Sequence, residues 1–229
     1  MIKAIIFDLD NTLVDFMAMK DASINAAIHA MIDAGLKISK RKAREKIYAI
    51  YGAEGIEDQR VLDRFLTKEL GTIDYRIHSA GIIGYRRARE AALVLYPHVQ
   101  LTLMKLMKMG LKLAVVTDAP RLQAWLRLSQ LNLQYMFDVV ITFQDTRKRK
   151  PDPAPFKAAL KRLKVKPHEV IMVGDWAERD ITGAKLIGMR TVFARYGDTF
   201  GTIHSGADFE IDDIMDLVGI VEKLLRNKR

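Results

Sequence analysis

The chain contains no cysteine in its 229 residues. This absence excludes disulfide bonds, thiolate catalysis and cysteine-bound zinc, and it is typical of intracellular proteins. Long hydrophobic runs are also missing, since the apolar stretch at the start spans only a few residues and is followed at once by acids. We therefore expect neither a signal peptide nor a membrane-spanning segment, and we predict a cytoplasmic protein without a membrane partner.

Amide side chains are scarce as well, with four asparagines and six glutamines. A low amide content together with many Lys, Arg and Glu residues favours a thermophilic source, although the eleven methionines argue the other way. This indication concerns stability and says nothing about the reaction.

Basic residues exceed acidic ones: the formal net charge is +9 and the isoelectric point is about 9.6. The basic residues are dispersed among acids, however, and residues 16–96 carry 14 basic and 10 acidic side chains. The sequence has no helix-turn-helix signature, zinc-finger spacing or aromatic-rich basic strand. We therefore predict no nucleic-acid partner and interpret the charge as a basic surface that attracts small anionic substrates.

The first segment with a clear pattern is the apolar run Ala4–Phe7, which predicts a short strand buried on both faces of a parallel sheet. Asp8 and Asp10 follow it, and Thr12 comes two residues later. In extended backbone the two carboxylates project to the same side, where their repulsion is costly without a cation or a shared proton. The pair indicates a divalent-metal site; the alternative is a solvated turn at the strand end, where Asp and Asn are common.

Residues 16–96 carry a helical pattern with no strand pattern inside it. Apolar side chains recur at helical spacing in four segments, at about 17–34, 39–51, 58–71 and 74–95. Gly81 and Gly84 interrupt the fourth segment, which argues against one continuous helix there. We predict that this block is a helical domain inserted after the first strand, so that residues 1–15 and 97–229 form the other domain.

Beyond residue 97, short apolar strands alternate with helical segments. The predicted strands cover residues 111–116, 138–142, 169–173, 191–194 and 209–211, and a final helix covers about 213–225. This alternation predicts an α/β fold with a doubly wound, Rossmann-like parallel sheet. Ligands of such sheets gather outside the carboxyl ends of the strands, near the point where the strand order reverses. We therefore expect the functional side chains to come soon after strands.

Polar side chains follow three of the later strands. Thr117 comes directly after the second strand, and Lys150 several residues after the third. Asp175 and Asp180 follow the fourth. Each has an ordinary structural explanation, as a strand-end residue, part of a solvated basic loop, a helix N-cap and a first-turn acid, respectively. It is less credible that a separate structural explanation holds at every strand end of one sheet than that it holds at any single one. We therefore predict that these side chains form one shared functional site.

Together these segments resemble the four motifs of the haloacid dehalogenase-like hydrolases. The motifs are Asp8-x-Asp10-x-Thr12, Thr117 after an apolar strand, Lys150-Pro151, and Gly174-Asp175-x-x-x-x-Asp180, in that family's order. The resemblance covers essentially the whole chain and implies the phosphatase branch of the family. The helical insertion after the first strand is similar to the α-helical cap of that branch. One departure is Asp118, which stands where many members have Asn. It does not weaken the resemblance, because the hydroxyl of the preceding threonine is the group that matters.

The resemblance and the chemistry of the residues imply the same roles. Asp8, first at the strand end, is the expected nucleophile that forms an aspartyl-phosphate. Asp10 is expected to protonate the leaving oxygen and then to deprotonate the hydrolytic water. Thr117 and Lys150 are expected to bind the phosphoryl oxygens and to stabilise their charge in the transition state.

Mg²⁺ is the predicted cofactor, because it prefers carboxylates, backbone carbonyls and water as ligands. We expect it to be held by the carboxylate of Asp8, the backbone carbonyl of Asp10, and Asp175. Asp180 is expected to hold the outer coordination shell of the metal or to orient Lys150.

Asp10 also selects among the reactions of the family. Members that cleave carbon–halogen bonds lack an acid at this position, since a halide needs no protonation, whereas a phosphomonoester leaving group does. The prediction is therefore a Mg²⁺-dependent phosphomonoesterase. A sugar-phosphate mutase shares all four motifs, and a phosphonate hydrolase would need a Schiff-base lysine such as Lys20, so both stay open. A non-enzymatic phospho-acceptor domain is the remaining alternative, although such domains are shorter and do not carry their acceptor on the first strand.

The sequence does not identify the substrate, because the cap supplies specificity in the family that the chain resembles. A small helical cap is similar to those acting on small phosphorylated metabolites, such as phosphoglycolate, glyceraldehyde 3-phosphate or another sugar phosphate. Phe16, Lys20 and Trp176 lie nearest the site along the sequence and are the candidate substrate-facing residues. The oligomeric state is left open.

Overall fold

A computed structural model describes residues 1–226 and divides the chain into two compact units. The sheet unit contains Met1–Asp15 and the chain from Val94 onward, and the helical unit contains Phe16–Leu93. Each unit has its own hydrophobic core.

The chain returns to the sheet unit slightly earlier than the boundary predicted at residue 97. The backbone N–H of Asp15 donates to the carbonyl of Val94 at 3.1 Å, and that of Tyr96 donates to the carbonyl of Leu13 at 3.1 Å. These hydrogen bonds join residues 94–96 to the segment after the first strand.

The sheet unit is built on parallel strands in the order β3-β2-β1-β4-β5-β6. The strands are β1 (Ala4–Phe7), β2 (Lys112–Val116), β3 (Val139–Ile141), β4 (Val170–Gly174), β5 (Arg190–Ala194) and β6 (Phe209–Ile211). The chain builds outward from β1 in both directions, so the predicted doubly wound parallel sheet is confirmed. The order reverses between β1 and β4, whose register pairs Phe7 with Val173. Both strands are buried along their whole length, which explains their uninterrupted apolar sequences.

The helical unit consists of α1 (Phe16–Asp33), α2 (Lys40–Glu54), α3 (Val61–Leu70) and α4 (Tyr75–Ala92). Their apolar faces meet in one core that includes Ile28, Ile47 and Phe65. Asp58, at the predicted start of the third helix, accepts a hydrogen bond from the N–H of Arg60 at 3.1 Å. This contact forms a turn before the helix, which therefore begins later than predicted.

α4 is continuous, contrary to the expectation from Gly81 and Gly84. Both glycines face α1 where the two helices approach closely. A Cβ atom on Gly81 would lie 2.7 Å from Cγ of Met31, and one on Gly84 would lie 2.7 Å from the carbonyl oxygen of Ala26. The glycines permit this close packing, which outweighs their lower helix propensity of about 1 kcal/mol each.

Helices flank the sheet. They are α5 (Val99–Lys108), α6 (Arg121–Gln130), α7 (Phe143–Thr146), α8 (Pro153–Leu163), α9 (Thr182–Lys185) and α10 (Asp216–Arg226), with a π-helical turn at Ala177–Ile181. The short α7 lies between the third strand and Lys150, where no helix was predicted, and Thr142 and Asp145 form the capping box that begins it. Across residues 1–226, no helix combines the length and the apolar character needed to cross a membrane.

One face of the sheet packs against α8. Ile6, Val116 and Met172, from three adjacent strands, form a buried cluster with Phe156 of α8. Full burial of a side chain of this size contributes about 1.5–3 kcal/mol. This layer holds together the three strands that end at the predicted site.

Candidate active site

Asp8, Thr117 and Asp175 lie where the central strands β1, β2 and β4 end. Asp8 follows β1 and Asp175 follows β4, so the two residues flank the point where the strand order reverses. The N–H of Asp8 donates to the carbonyl of Val173 at 2.9 Å, which fixes its backbone. Asp8 is 7% exposed and Asp175 is 3% exposed, so both carboxylates are largely withdrawn from water.

The ammonium group of Lys150 lies at the centre of the cluster. Its Nζ lies 2.6 Å from Oδ1 of Asp180, contacts Oδ1 of Asp8, and donates to the carbonyl of Val116 at 3.1 Å. The Lys150 side chain is itself buried. A single ammonium thus joins the ends of β1 and β2 to the π-helical turn after β4.

Asp180 lies in that π-helical turn, and its carboxylate packs against Gly174. Oδ2 of Asp180 accepts a hydrogen bond from the N–H of Trp176 at 3.1 Å. A Cβ atom on Gly174 would lie 2.4 Å from Cγ of Asp180. Glycine at the end of β4 therefore provides the space that the carboxylate occupies.

The loop after β1 is tied to neighbouring strand ends by three contacts. The hydroxyl of Thr12 donates to Oδ1 of Asp175 at 2.9 Å, and the hydroxyl of Tyr196 donates to the carbonyl of Thr12 at 2.7 Å. Gly197 approaches the loop so closely that a Cβ atom there would lie 1.7 Å from the carbonyl oxygen of Asn11. These contacts fix the backbone that carries both predicted catalytic acids.

Thr117 and Asp118 follow β2 at the same edge of the sheet. Thr117 is buried, and its hydroxyl accepts a hydrogen bond from the N–H of Ala119 at 3.1 Å. Asp118 accepts from the N–H of Lys150 at 3.0 Å through Oδ1 and from Nη1 of Arg179 at 3.1 Å through Oδ2. Asp118 therefore anchors the segment that carries Lys150.

Burial dominates the acid–base properties of the cluster. Loss of hydration raises the pKa of Asp8 to about 8, against the opposing effect of the Lys150 ammonium. Burial, followed by the charges of Asp8 and Asp180, raises the pKa of Asp175 well above its ordinary value. Burial raises the pKa of Asp180 as well. Burial alone would lower the pKa of Lys150, but the charges of Asp180 and Asp8 outweigh it and hold that pKa above its ordinary value.

The donor set fits a divalent cation. Asp8, Asp175 and Asp180 each place one carboxylate oxygen so that the three atoms lie within 4.8 Å of one another. Among the described residues, the ammonium that contacts this group is that of Lys150, so two negative charges remain uncompensated when all three acids are ionised. Hard oxygen donors with an excess of two negative charges match a hard divalent cation.

Asp10 does not belong to this group of three carboxylates. Its Oδ2 accepts a hydrogen bond at 2.7 Å from Nη1 of Arg127, a buried residue of α6. Arg127 lies inside a helix and outside every motif, so no motif identifies it. The signal in the sequence is its position on the helix face that carries the buried Ala124 and Leu128.

A family model described as "Haloacid dehalogenase-like hydrolase" matches residues 5–194. The protein belongs to this family. The match includes every residue of the cluster around Lys150, and the family predicted from the four motifs is confirmed.

Relatives of this haloacid dehalogenase-like hydrolase are named phosphatases. The glyceraldehyde 3-phosphate phosphatase of Methanocaldococcus jannaschii is 37% identical over 230 residues, which cover 99% of this chain and 100% of that protein. The enzyme of the same name from Methanopyrus kandleri is 33% identical, with coverage of 99% and 100%. A ribulose-1,5-bisphosphate 5-phosphatase of Halopiger xanaduensis is 28% identical, with coverage of 96% and 100%. These relatives confirm the predicted enzyme class, a hydrolase of phosphoric monoesters.

Solved structures show that the family fold is shared across different reactions. A HAD phosphatase from Thermococcus onnurineus superposes with a TM-score of 0.72 at 31% identity, covering 96% of this chain and 98% of that one. A 2-haloacid dehalogenase from Pseudomonas syringae superposes with a TM-score of 0.65 at 26% identity, covering 98% and 100%. The fold therefore does not distinguish phosphate ester from carbon–halogen cleavage.

The candidate substrate-facing residues of this hydrolase lie in both units. The Trp176 ring lies 3.7 Å from the Arg179 guanidinium and 4.3 Å from the Phe200 ring, all in the sheet unit. In the helical unit, Lys20 and Phe16 lie on α1. The buried Lys20 donates from Nζ to the hydroxyl of Tyr85 at 3.1 Å, and Nζ lies 4.6 Å from the centre of the Tyr51 ring and 5.5 Å from that of Phe16.

Proposed function

We propose that this hydrolase removes the phosphate group from a small phosphorylated metabolite, in a Mg²⁺-dependent reaction that passes through an aspartyl-phosphate on Asp8. The position of Asp8 supports this most, because its carboxylate shares a buried ammonium with Asp180 and belongs to the group of three carboxylates. A carboxylate there can attack phosphorus while Lys150 neutralises the phosphoryl oxygens. Burying three acids around one base does not favour folding, because the cost of removing these charges from water can exceed the gain from pairing them.

In the first step, a carboxylate oxygen of Asp8 attacks phosphorus, and the bond between phosphorus and the ester oxygen breaks. Asp10 donates a proton to the departing oxygen, so that the alcohol leaves neutral. Lys150 and the hydroxyl of Thr117 bind the phosphoryl oxygens. In the second step, water attacks phosphorus and gives a proton to Asp10, and the bond between phosphorus and the Asp8 oxygen breaks. Inorganic phosphate is released, and the Asp8 carboxylate is restored.

The metal would be held by Asp8, Asp175 and the backbone carbonyl of Asp10. When bound, Mg²⁺ supplies positive charge that offsets the repulsion between the Asp8 carboxylate and the anionic phosphate. Asp180 acts through Lys150 in this proposal, because its Oδ1 pairs with Nζ of Lys150 and its Oδ2 accepts from the N–H of Trp176.

Glyceraldehyde 3-phosphate is the first substrate to test, since relatives more than 30% identical carry that name. Phosphoglycolate and other sugar phosphates are the further candidates. We also propose that the helical unit is a specificity cap, and that Phe16, Lys20 and Trp176, the candidates from the sequence, are substrate-facing residues. The ammonium of Lys20 has the chemistry to recognise an oxygen of the non-phosphate part of a metabolite.

The test is phosphate release from a panel of these metabolites, run with Mg²⁺ and with a chelator. We expect many turnovers on at least one of them, and loss of turnover with the chelator or in Asp8→Asn, which should keep the fold. Chelator-insensitive hydrolysis would contradict the metal assignment, and substantial activity in Asp8→Asn would contradict the nucleophile. A phospho-acceptor domain would release at most one phosphate per chain, and a mutase would return an isomeric phosphate ester.

Metal binding can be measured separately from activity. Calorimetric titration with Mg²⁺ should give binding to the wild type and much weaker binding to Asp175→Asn. Equal binding by both proteins would contradict the assignment of Asp175.

A further inference from the structure

Arg127 is buried although it is a charged residue in the middle of a helix. It is 6% exposed and lies on the same face of α6 as Ala124 and Leu128, which are fully buried. Arginine is almost never fully buried unless it is paired, because loss of hydration costs several kcal/mol per ion. An apolar side chain at this position would avoid that cost, so folding alone does not explain an arginine there.

The guanidinium of Arg127 is directed at Asp10. Its Nη1 donates to Oδ2 of Asp10 at 2.7 Å, a distance typical of a charge-assisted hydrogen bond. The side chain of Arg127 is 7% exposed and that of Asp10 is 20% exposed. One partner is therefore anchored among buried residues of the sheet unit, while the other keeps access to solvent.

The hydrogen bond from Arg127 restrains the side-chain torsions of Asp10, which the backbone contacts of the loop do not set. The contacts of Asn11 and Thr12 fix the backbone of the loop after β1. A fixed backbone still allows the Asp10 side chain several staggered positions. Proton transfer needs the carboxylate within about 2.6–3.2 Å of the reacting oxygen, so the side-chain position decides whether Asp10 can act.

We infer that Arg127 is a positioning residue for Asp10. It holds the Asp10 carboxyl group in the orientation from which the protonated form gives its proton to the leaving oxygen and the resulting carboxylate later accepts a proton from water. The inference rests on the proposed phosphatase function and adds to it a residue outside the four motifs. Arg127 acts through Asp10 and does not itself contact the substrate.

The test compares wild type, Arg127→Ala and Arg127→Lys on two phosphate esters. An alkyl phosphate releases a weakly acidic alcohol and needs a proton donor, whereas p-nitrophenyl phosphate releases a stable phenolate and does not. For Arg127→Ala, we expect kcat on the alkyl ester to fall about 10²-fold, with little change in KM. The first turnover on p-nitrophenyl phosphate should stay close to wild type, giving a burst of p-nitrophenol before slow hydrolysis of the aspartyl-phosphate. Arg127→Lys keeps a cationic donor and should recover part of the lost rate.

Two further comparisons separate positioning from structural support. Arg121→Ala is the matched control, because Arg121 lies on the same helix, is 53% exposed and pairs with Asp145 instead; it should leave both rates unchanged. The second comparison adds Arg127→Ala to Asp10→Asn. If Arg127 acts through Asp10, the added substitution should cause no further loss of activity.

Equal losses on both esters without a burst, or additive losses in the double variant, would overturn the inference. Full activity of Asp10→Asn would instead overturn the proposed role of Asp10, so the two failures are distinguishable. Should Arg127→Ala not fold, Arg127→Lys and Arg127→Gln replace it. The quantity compared is then the rate on the alkyl ester divided by the rate of the first turnover on p-nitrophenyl phosphate. A ratio equal to that of the wild type in both variants would also overturn the inference.

Discussion

Thr12 donates a hydrogen bond of 2.9 Å from its hydroxyl to Oδ1 of Asp175, joining the loop after β1 to the end of β4. Thr12 is completely buried, so water does not compete for this contact. The bond orients one of the three clustered carboxylates from a side chain that is not itself in the cluster. Partners of this kind set the geometry and basicity of metal ligands in proteins.

Thr12→Val is therefore expected to weaken Mg²⁺ binding by about 10- to 100-fold while keeping the fold, because it removes the hydroxyl and keeps nearly the same volume. Calorimetric titration with Mg²⁺ measures the effect. Thr102→Val is the matched control, since Thr102 is also fully buried and its hydroxyl donates to Sδ of Met215 at 3.8 Å, away from the clustered carboxylates. Unchanged Mg²⁺ affinity in Thr12→Val would contradict the prediction.

Gly174→Ala is expected to displace the Asp180 carboxylate, because the added Cβ would lie 2.4 Å from its Cγ. The displacement disturbs the ion pair with Lys150, so we expect loss of phosphatase activity and a decrease of about 1–3 kcal/mol in the free energy of unfolding. Urea denaturation measures the second effect. Gly219→Ala in α10 is the control: apart from the local backbone, no heavy atom of residues 1–226 lies within 4 Å of its added Cβ, and a small gain in helix stability is expected. Wild-type stability in Gly174→Ala would refute the steric argument.

Lys150→Met is expected to leave the clustered carboxylates without their ammonium. Removing one partner of a buried ion pair typically costs about 3–5 kcal/mol, and we expect a destabilisation of this order in the presence of a chelator. Mg²⁺ should restore more stability to the variant than to the wild type, since it replaces the missing positive charge. Lys148→Met, at an exposed position nearby, is the control. If Mg²⁺ increased the stability of Lys150→Met and of the wild type equally, the prediction that Mg²⁺ replaces the charge of Lys150 would be contradicted.

The polar residues at strand ends were predictable because a parallel sheet brings all its carboxyl ends to one edge. Alternating apolar strands and helices fix that edge, so the positions of Asp8, Thr117 and Asp175 follow from local sequence patterns and strand order alone. The family and the fold predicted in this way are confirmed. The proposed roles of the site residues, the thermophilic source, the cytoplasmic location and the absence of a nucleic-acid partner stay predictions.

Arg127 and Tyr196 were not predictable in the same way. Arg127 meets Asp10 across 117 positions of sequence, and Tyr196 meets Thr12 across 184. Such contacts depend on the rotation of a helix and the path of a loop, which hydrophobic periodicity does not specify. Gly81 illustrates the same limit, because its low helix propensity argued for a break where tertiary packing against Met31 requires a small residue.

Asp145 gives a prediction about acid stability that does not involve the metal cluster. Its Oδ2 accepts hydrogen bonds from the N–H of Thr142 at 2.9 Å and from the Thr142 hydroxyl at 2.7 Å, and Oδ1 accepts from Arg162 at 2.9 Å. Burial alone would raise the pKa of Asp145, but the hydrogen bonds from Thr142 and Arg162 outweigh it and hold the pKa below its ordinary value. A carboxylate with a lowered pKa in the folded state stabilises the protein at pH values above the unfolded pKa of about 3.9. That stabilisation is lost as the pH falls through the folded pKa.

Asp145→Asn is therefore expected to lower the free energy of unfolding by about 1 kcal/mol at neutral pH, as for the loss of a helix-capping carboxylate. The difference from wild type should stay constant down to about pH 5 and shrink below about pH 4, because the wild type then loses the same charge. Urea denaturation at a series of pH values measures it. Asp33→Asn, which removes an exposed carboxylate at the end of α1, controls for the change in net charge. A difference that persists undiminished at the lowest pH where the protein stays folded would mean that the ionised form of Asp145 is not what stabilises α7.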